Sequence, residues 1–327
     1  MEIINYLIHH IDGDGYFSGF IVNNFSNIEF NKRFEFNYEK KVPKNDKYSW
    51  YHEIDDNKQY NYYFVDVTPS INWIEMQLEE FPSNKIIVID HHPICEKLSK
   101  YGNVELHYDK NVSASKIAYD LFGTNIVYKL KNDIKLNTIE QILHNIDMYD
   151  TWSFDALKNK SSVKRDILAF QEYVKTLLPQ GFEIFSYEIK NNIHYLNDYK
   201  SSLEIGRQIV SVKEMVSHKI LDNCLIDASS DSNIKLLIEG AADYYLFDLI
   251  RDKFKSFNRD ILYVCFNYDL KSKMCNFSVR SILKSNDNFK NSAQNFAEQM
   301  GGGGHLNAGG FKLNYEETLQ FINAFIE

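Results

Sequence analysis

Cysteine is scarce in this chain of 327 residues: there are four, at positions 95, 224, 265 and 275. None forms a CxxC pair, which argues against a thiolate zinc site or a disulfide scaffold and points to reduced thiols in a cytoplasmic protein. Cys265 and Cys275 could face one another across a hairpin, so a bridge there stays an open alternative. No apolar run approaches the roughly 18 residues that a membrane helix needs. Strand-like sequence starts almost at residue 1, so no signal peptide is expected. An excess of positive charge is also missing. The formal net charge of −9 argues against non-specific coating of long duplex nucleic acid, which requires many Lys/Arg–phosphate contacts. Internal repeats, low-complexity tracts and any added nucleic-acid module such as an OB-fold are not seen.

What is present suffices for buried cores: 44 % hydrophobic and 15 % aromatic residues, in a length that fits two domains or one large one. The charge is unevenly spread. Residues 251–290 carry nine Lys/Arg against four Asp, a local excess of +5. An acidic front half and a locally basic back half suit a small anionic substrate held between them.

Residues 1–155 alternate strand-like stretches (3–10, 28–38, 61–67, 85–90, 103–108) with helix-like ones (16–25, 70–81, 113–122, 137–146). That alternation predicts a parallel sheet wrapped by helices. The polar segment 39–60 reads as a surface excursion. From about 160 to 222 apolar residues fall at helical spacing, and Leu203, Gly206, Ile209, Val210, Val212 and Val216 predict a long connector helix. Strands return at 224–227, 234–239, 261–267 and 274–280, the last two as a hairpin, followed by helices at 290–300 and 315–326. The expected domains are 1–155, a helical connector at 156–222, and 223–327.

Ile86-Ile87-Val88-Ile89 runs into Asp90-His91-His92. Four bulky aliphatics predict a strand covered on both faces, and ligands bind at the carboxyl ends of such strands. The pattern recurs. Residues 3–8 lead into His9-His10-Ile11-Asp12-Gly13-Asp14-Gly15, Tyr62–Val65 into Asp66-Val67-Thr68-Pro69, and a helical stretch into Asn145-Ile146-Asp147-Met148-Tyr149-Asp150. Carboxylates gathered at one edge repel one another unless divalent cations bind among them. Oxygen donors with a minority of imidazoles suit Mn2+ or Mg2+. His10, Asp12 and Asp14 share one face of an extended chain, and Gly13 and Gly15 allow a tight turn. Thr68 or Ser70 can cap the following helix, which leaves Asp66 for a metal.

Near the end of the chain, Gly301–Gly304 precede His305 and the sequence Leu306-Asn307-Ala308-Gly309-Gly310-Phe311. Four consecutive glycines read as incompatible with a packed strand and as a loop of exposed N–H groups that cradles phosphate. Arg280, at a strand end in Val279-Arg280-Ser281, is a bidentate phosphate partner.

With these motifs the chain resembles the DHH/DHHA1 phosphoesterases. The resemblance covers the four Asp/His segments and the two motifs near the end, and says little about 156–250. It implies an α/β fold: a DHH domain, a helical connector and a smaller DHHA1-like α/β domain. It implies two divalent cations, Mn2+ foremost with Mg2+ as the alternative. His10, Asp12 and Asp66 would hold one. Asp14, Asp66, His91 and Asp147 would hold the other. His92 would touch the phosphate and Asp90 would orient the histidines. Arg280, Ser281, Gly302, Gly303, Gly304 and His305 would bind the substrate. Many members place the first His four residues before the Asp-x-Asp pair; that position is Ile8 here, so His10 is assigned with His9 as fallback. Asp150 remains the alternative to Asp147. The expected activity is hydrolysis of phosphate esters in short single-stranded oligonucleotides or small nucleotides by a water that two metals activate. A single-strand exonuclease acting on longer DNA or RNA, and a non-hydrolytic nucleotide sensor, stand as alternatives. The oligomeric state is left open, a homodimer included.

Overall fold

Alternate side chains of the first strands enter two different cores, and this fixes the architecture around them. A computed structural model describes residues 2–36, 58–157, 161–227, 233–240, 244–254, 256, 259–284 and 289–326. Most of the polar segment 39–60 lies outside the described residues. The chain divides into two compact units, Met1–Val210 and Ser211–Glu327.

In the first unit, strands β1 (Glu2–His10), β2 (Lys32–Phe36), β3 (Lys58–Val65), β4 (Lys85–Asp90) and β5 (Val104–Tyr108) form a sheet in the order β2-β1-β3-β4-β5. Every pair is parallel. Leu7, Val65, Ile87 and Ile89 point into one core. There they meet α1 (Gly13–Phe25), α4 (Asp133–Asp150), α5 (Ser162–Leu177) and α6 (Phe182–His194). Tyr6, Ile8, Tyr62, Phe64, Ile86 and Val88 enter the other core, against Trp73 and Ile74 of α2 (Ile71–Glu80). Helix α1 is buried on nearly every side, which explains its lack of a polar face.

The expected helices at 113–122 and 137–146 are longer in the structure: α3 (Ala114–Leu130) and α4 meet across two residues. Lys131 takes a left-handed backbone that ends α3, and the Asn132 side chain accepts from Ile134 and Lys135 N–H to start α4; this is cap chemistry. Between 162 and 222 lie three α-helices, α5, α6 and α7 (Leu196–Asp222), and the last contains the expected long helix from Leu203 to Val216. The first two pack into the core around α1. Among the described residues no helix is long and apolar enough to cross a membrane.

The second unit contains β6 (Leu225–Asp227), β7 (Asn233–Glu239), α8 (Tyr244–Lys253), β8 (Asp260–Asp269), β9 (Met274–Ile282), α9 (Ala293–Gln299), β10 (Gly303–His305), β11 (Ala308–Asn314) and α10 (Tyr315–Ile326). Its sheet runs β10-β11-β9-β8-β7-β6, with β7–β8 parallel and the other pairs antiparallel. The expected hairpin is β8–β9. Its register sets Cys265 against Ser278 and Cys275 against Tyr268, so the two thiols never face one another and all four cysteines are free.

The glycine run departs from expectation. Gly303–His305 is a strand, with Gly303 opposite Gly310 and Gly304 opposite Gly309. The missing side chains permit the close approach. A Cβ on Gly302 would lie 2.1 Å from the Gly310 carbonyl oxygen, and one on Gly304, at φ 153°, 2.3 Å from that of Ala308. The flanking β11 puts Phe311 face to face with Phe277 at 4.5 Å, which anchors the hairpin to the core.

Helix α7 crosses α5 at Gly206, where a Cβ would sit 1.8 Å from the Ala169 carbonyl oxygen. Backbone cannot yield as a side chain can. Gly206→Ala is therefore expected to destabilise the protein by about 3 kcal/mol or more, read as a lower denaturation midpoint in urea; an unchanged midpoint would show that the helices do not cross this closely.

Candidate metal centre

The strand order places a topological switch between β1 and β3, because the chain goes to β2 on one side of β1 and returns on the other. Ligands bind in the crevice at the carboxyl ends of such strands, and both strands end in candidate ligands. The parity of β1 separates the two histidines. His9 shares a face with Leu7 and is fully buried against Gly19, Tyr16 and Phe182. Its Nδ1 donates to the His10 carbonyl oxygen at 2.9 Å, and burial pushes its pKa down to about 4. His10 shares the other face, and its Nδ1 lies 2.8 Å from Asp12 Oδ2 and 3.6 Å from Asp66 Oδ2. The alternative histidine is thus a core residue.

Asp12 also caps α1, its Oδ1 accepting from Gly15 N–H at 2.8 Å. Gly15 is required here because a Cβ would come within 2.5 Å of the His10 carbonyl oxygen. At the end of β3, Asp66 is buried and adopts a left-handed backbone, φ 55°, at a cost of about 1 kcal/mol. Ser70, one of the two expected caps, caps α2 through Trp73 N–H, which leaves Asp66 uncommitted to the helix.

Asp90 is a positioning residue. Its Oδ1 accepts from the backbone N–H of His91 and His92 and from His92 Nδ1, at 2.7, 3.1 and 2.7 Å. Thr68 Oγ1 donates to Oδ2 at 2.5 Å. Burial raises the pKa of this carboxyl, but the bonds from His92 and Thr68 outweigh it and hold it below the usual range. The sequence offered Thr68 only as a candidate cap, and only the fold brings it beside the β4 terminus.

Asp14 is buried and receives Ala114 and Ser115 N–H at 2.8 and 2.9 Å, on Oδ2 and Oδ1. It fills the N-terminal end of α3, a natural anion site; the Ser113–Ser115 helix start was the available signal. Burial, and then repulsion from Asp66 and Asp150, raise its pKa well above the usual carboxylate value.

The α4 segment resolves differently from the first assignment. Asp147 Oδ1 accepts from Ser113 N–H at 2.8 Å and is tied to α3. Asp150 Oδ2 lies 3.4 Å from His91 Nε2. Ligand atoms of Asp14, His91 and Asp150 fall within 4.8 Å of one another, as do those of His10, Asp12 and Asp66, and those of Asp66, Asp90, His91 and His92. Asp66 and His91 join these groups. The geometry gathers Asp150, the fallback, and leaves Asp147 outside.

These residues fit divalent cations on their own chemistry. Among the described residues, Asp66 Oδ1 and Asp150 Oδ2 are buried without a hydrogen-bond partner, and His91 Nε2 stands 3.5 Å from the first. Buried acceptors left in this state are destabilising by about 1–3 kcal/mol each, and a cation removes that cost. The donors are oxygens with a few imidazoles, the set that hard divalent ions prefer.

In the second unit, Arg280 is half-buried on β9 and donates through Nη1 to the Val279 carbonyl at 2.9 Å. Ser281 is buried; its Oγ donates to Leu306 O at 3.2 Å and accepts from Ala293 N–H at 3.0 Å. It fastens the turn after His305 to β9 and α9. Gly303 has open space where a side chain would be, whereas Gly302 and Gly304 face backbone.

Burial lowers the pKa of His10, but hydrogen bonds to Asp12 and Asp66 outweigh it and push it up to about 10. His91 is likewise raised to about 9, mainly by Asp66, against the effect of burial. Burial pushes Asp150 up to about 7. A metal needs all three deprotonated, so binding Mn2+ at pH 7 should release protons and tighten as pH rises from 6 to 8. Calorimetric titrations in buffers of different ionisation enthalpy measure this; a pH-independent affinity would contradict the site. The same titration separates the two α4 carboxylates. Asp150→Asn is expected to lower Mn2+ affinity at least about ten-fold. Asp147→Ala should keep metal binding while losing about 1 kcal/mol of stability.

No protein-family model and no curated protein matches the chain. Solved structures do. A pGpG-specific phosphodiesterase, PggH of Vibrio cholerae, is 12 % identical, with 99 % of this chain and 97 % of that chain covered and a TM-score of 0.56. The exonuclease RecJ bound to manganese is 14 % identical, with 99 % and 89 % covered and a TM-score of 0.50. Both matches run over nearly the whole chain, so the chain has the fold of these proteins, that of the DHH/DHHA1 phosphoesterases.

Proposed function

We propose that the chain is a Mn2+-dependent phosphoesterase acting on short single-stranded oligonucleotides or small nucleotides. The observation that carries this reading is the pair of buried carboxylate oxygens, on Asp66 and Asp150, that have no hydrogen-bond partner among the described residues and lie beside His91 at the carboxyl edge of the sheet. Residues 1–155 would form the catalytic domain, 156–222 the connector and 223–327 the substrate-binding domain. His10, Asp12 and Asp66 would hold one cation; Asp14, Asp66, His91 and Asp150 the other. When bound, the cations would supply positive charge to the phosphoryl oxygens and a water acidified toward neutral pH.

The chain's own residues do the rest. Asp90 fixes the His92 ring through Nδ1, and that bond raises the imidazole's pKa. His92 therefore keeps its proton more readily near neutrality and suits donation to a leaving oxygen. Arg280, His305 and the glycine hairpin grip the nucleotide by its phosphate. The fold similarity to a phosphodiesterase and to an exonuclease supports the reaction class. Small size of substrate is favoured by the net charge of −9, which disfavours long polyanions.

A panel of di- to pentanucleotides of RNA and DNA, cyclic dinucleotides and a long homopolymer, supplied with Mn2+, tests this. The short substrates are expected to be turned over fastest, and Asp66→Ala to lose at least about 100-fold in rate. Faster release from the homopolymer would identify an exonuclease for long strands. Tight binding with no product would identify a sensor.

A further inference from the structure

Three helices of the first unit line a cavity of about 510 Å³ that the metal centre does not use. Its polar wall comes from α4. Asn137, Gln141 and Asn145 are spaced four apart and form one row along that helix. The remaining wall includes Val163 of α5 and Tyr199 and Leu203 of α7. At about 100° per residue, the amide row lies on the side of α4 opposite Asp150. The cavity shares no residue with the Asp14–His91–Asp150 group, although one helix serves both.

A half-satisfied hydrogen-bonding pair sits in this cavity. Asn145 and Tyr199 are each only 5 % exposed, and Asn145 Nδ2 donates to the Tyr199 hydroxyl at 3.0 Å. That bond uses one donor and one acceptor of the pair. Among the described residues Asn145 Oδ1 has no hydrogen-bond partner, and the Tyr199 hydroxyl proton has no acceptor. Oδ1 is not sealed from solvent, so the opening it meets is the cavity that its residue lines. Turning the amide over exchanges the roles of the two groups and leaves the same sum, one free donor beside one free acceptor. Buried polar groups are ordinarily bonded, and an adjacent donor and acceptor match the edge of a nucleobase.

We propose that this cavity is a second binding site, one that takes the base of an uncharged nucleoside. Asn145 and Tyr199 read the edge of the base, and Asn137 and Gln141 extend the amide row beside it. Val163 and Leu203 give the flat faces an aliphatic wall, so binding removes apolar surface from water as well as pairing polar groups. A sugar alone would leave that wall uncovered. The volume lies within the roughly 300–1,000 Å³ of small-molecule sites. Phosphate is disfavoured, because Glu140 and Asp166 line the cavity and no Lys or Arg does among the described residues. The guanidinium of Arg207 is already held by Asp166 at 2.7 Å and by Glu204 at 3.5 Å. The site stands on its own geometry and requires no metal.

Calorimetric titration of the full chain with adenosine, guanosine, cytidine and uridine, in EDTA to keep cations away, tests this. At least one nucleoside is expected to bind with a Kd on the order of 100 μM. Val163→Arg alters a side chain that is 46 % exposed and should abolish the binding by filling the cavity. Tyr199→Phe keeps the ring and should weaken binding about ten-fold. Asp66→Ala, which changes the metal centre, should leave it unaltered. The site is overturned if no nucleoside binds, if binding survives either cavity variant at full strength, if Asp66→Ala abolishes it, or if glucose binds as tightly. A second measurement covers a variant that does not fold. An azido derivative of the nucleoside that binds, photolysed on wild type and mapped by mass spectrometry, should label residues 137–145, 163 or 199–203; labelling confined to other segments overturns the site. None of these readouts involves turnover, so they stand or fall apart from the hydrolysis assay above.

Discussion

Repulsion among buried and half-buried carboxylates organises one edge of the first sheet. Asp14, Asp66 and Asp150 converge on one edge of the first sheet, and each has a pKa raised first by burial and then by its acidic neighbours. Folding alone tolerates such a cluster only if protons, imidazoles or cations share the charge. The protein uses several devices at once. His10 and His91 are drawn toward the protonated form by these carboxylates. The N-terminus of α3 receives Asp14. What remains are Asp66 Oδ1 and Asp150 Oδ2, which have no hydrogen-bond partner among the described residues.

The sheet supplies the rigidity that such crowding demands. β1, β3 and β4 are parallel neighbours packed on both faces, so their carboxyl ends cannot drift apart without disturbing two cores. Asp90 extends that rigidity beyond β4. With both oxygens engaged, it locks the turn that presents His91 and His92. The left-handed backbone at Asp66 is tolerated because the same cores hold the residues on either side of it, Val65 and Val67.

Much of this was legible in the sequence. Ile86–Ile89 could only be a strand covered on both sides, and Asp90-His91-His92 could then only sit at its carboxyl edge. Asp12 and Asp66 follow from the same logic, whereas the first turn of α1 does not: Gly13–Gly15 read as a tight turn after an extended stretch, yet they open the helix and carry Asp14 with them. Other features were not legible. Asp147 and Asp150 lie three apart on one helix face; which one meets His91 depends on where α3 begins, because Ser113 N–H claims Asp147. The glycine run was read as a loop, yet it pairs as β10. Strand pairing there comes from β11, itself anchored by Phe311 on Phe277, and no local preference of glycine announces it. Thr68 was offered by the sequence only as a helix cap, since its bond to Asp90 arises from the fold.

By itself, then, the sequence determined the alternation of strands and helices, the chemical nature of the donor set and the edge at which it collects, because periodicity and residue type act locally. The tertiary structure decided which member of each ambiguous pair lies in the crevice. His9 enters the core and His10 the crevice because successive residues of a strand point to opposite faces and α1 covers only one of them. Asp150 rather than Asp147 joins His91 because a neighbouring helix start had already taken the other carboxylate. Such choices are settled by packing between distant segments, which no local pattern encodes.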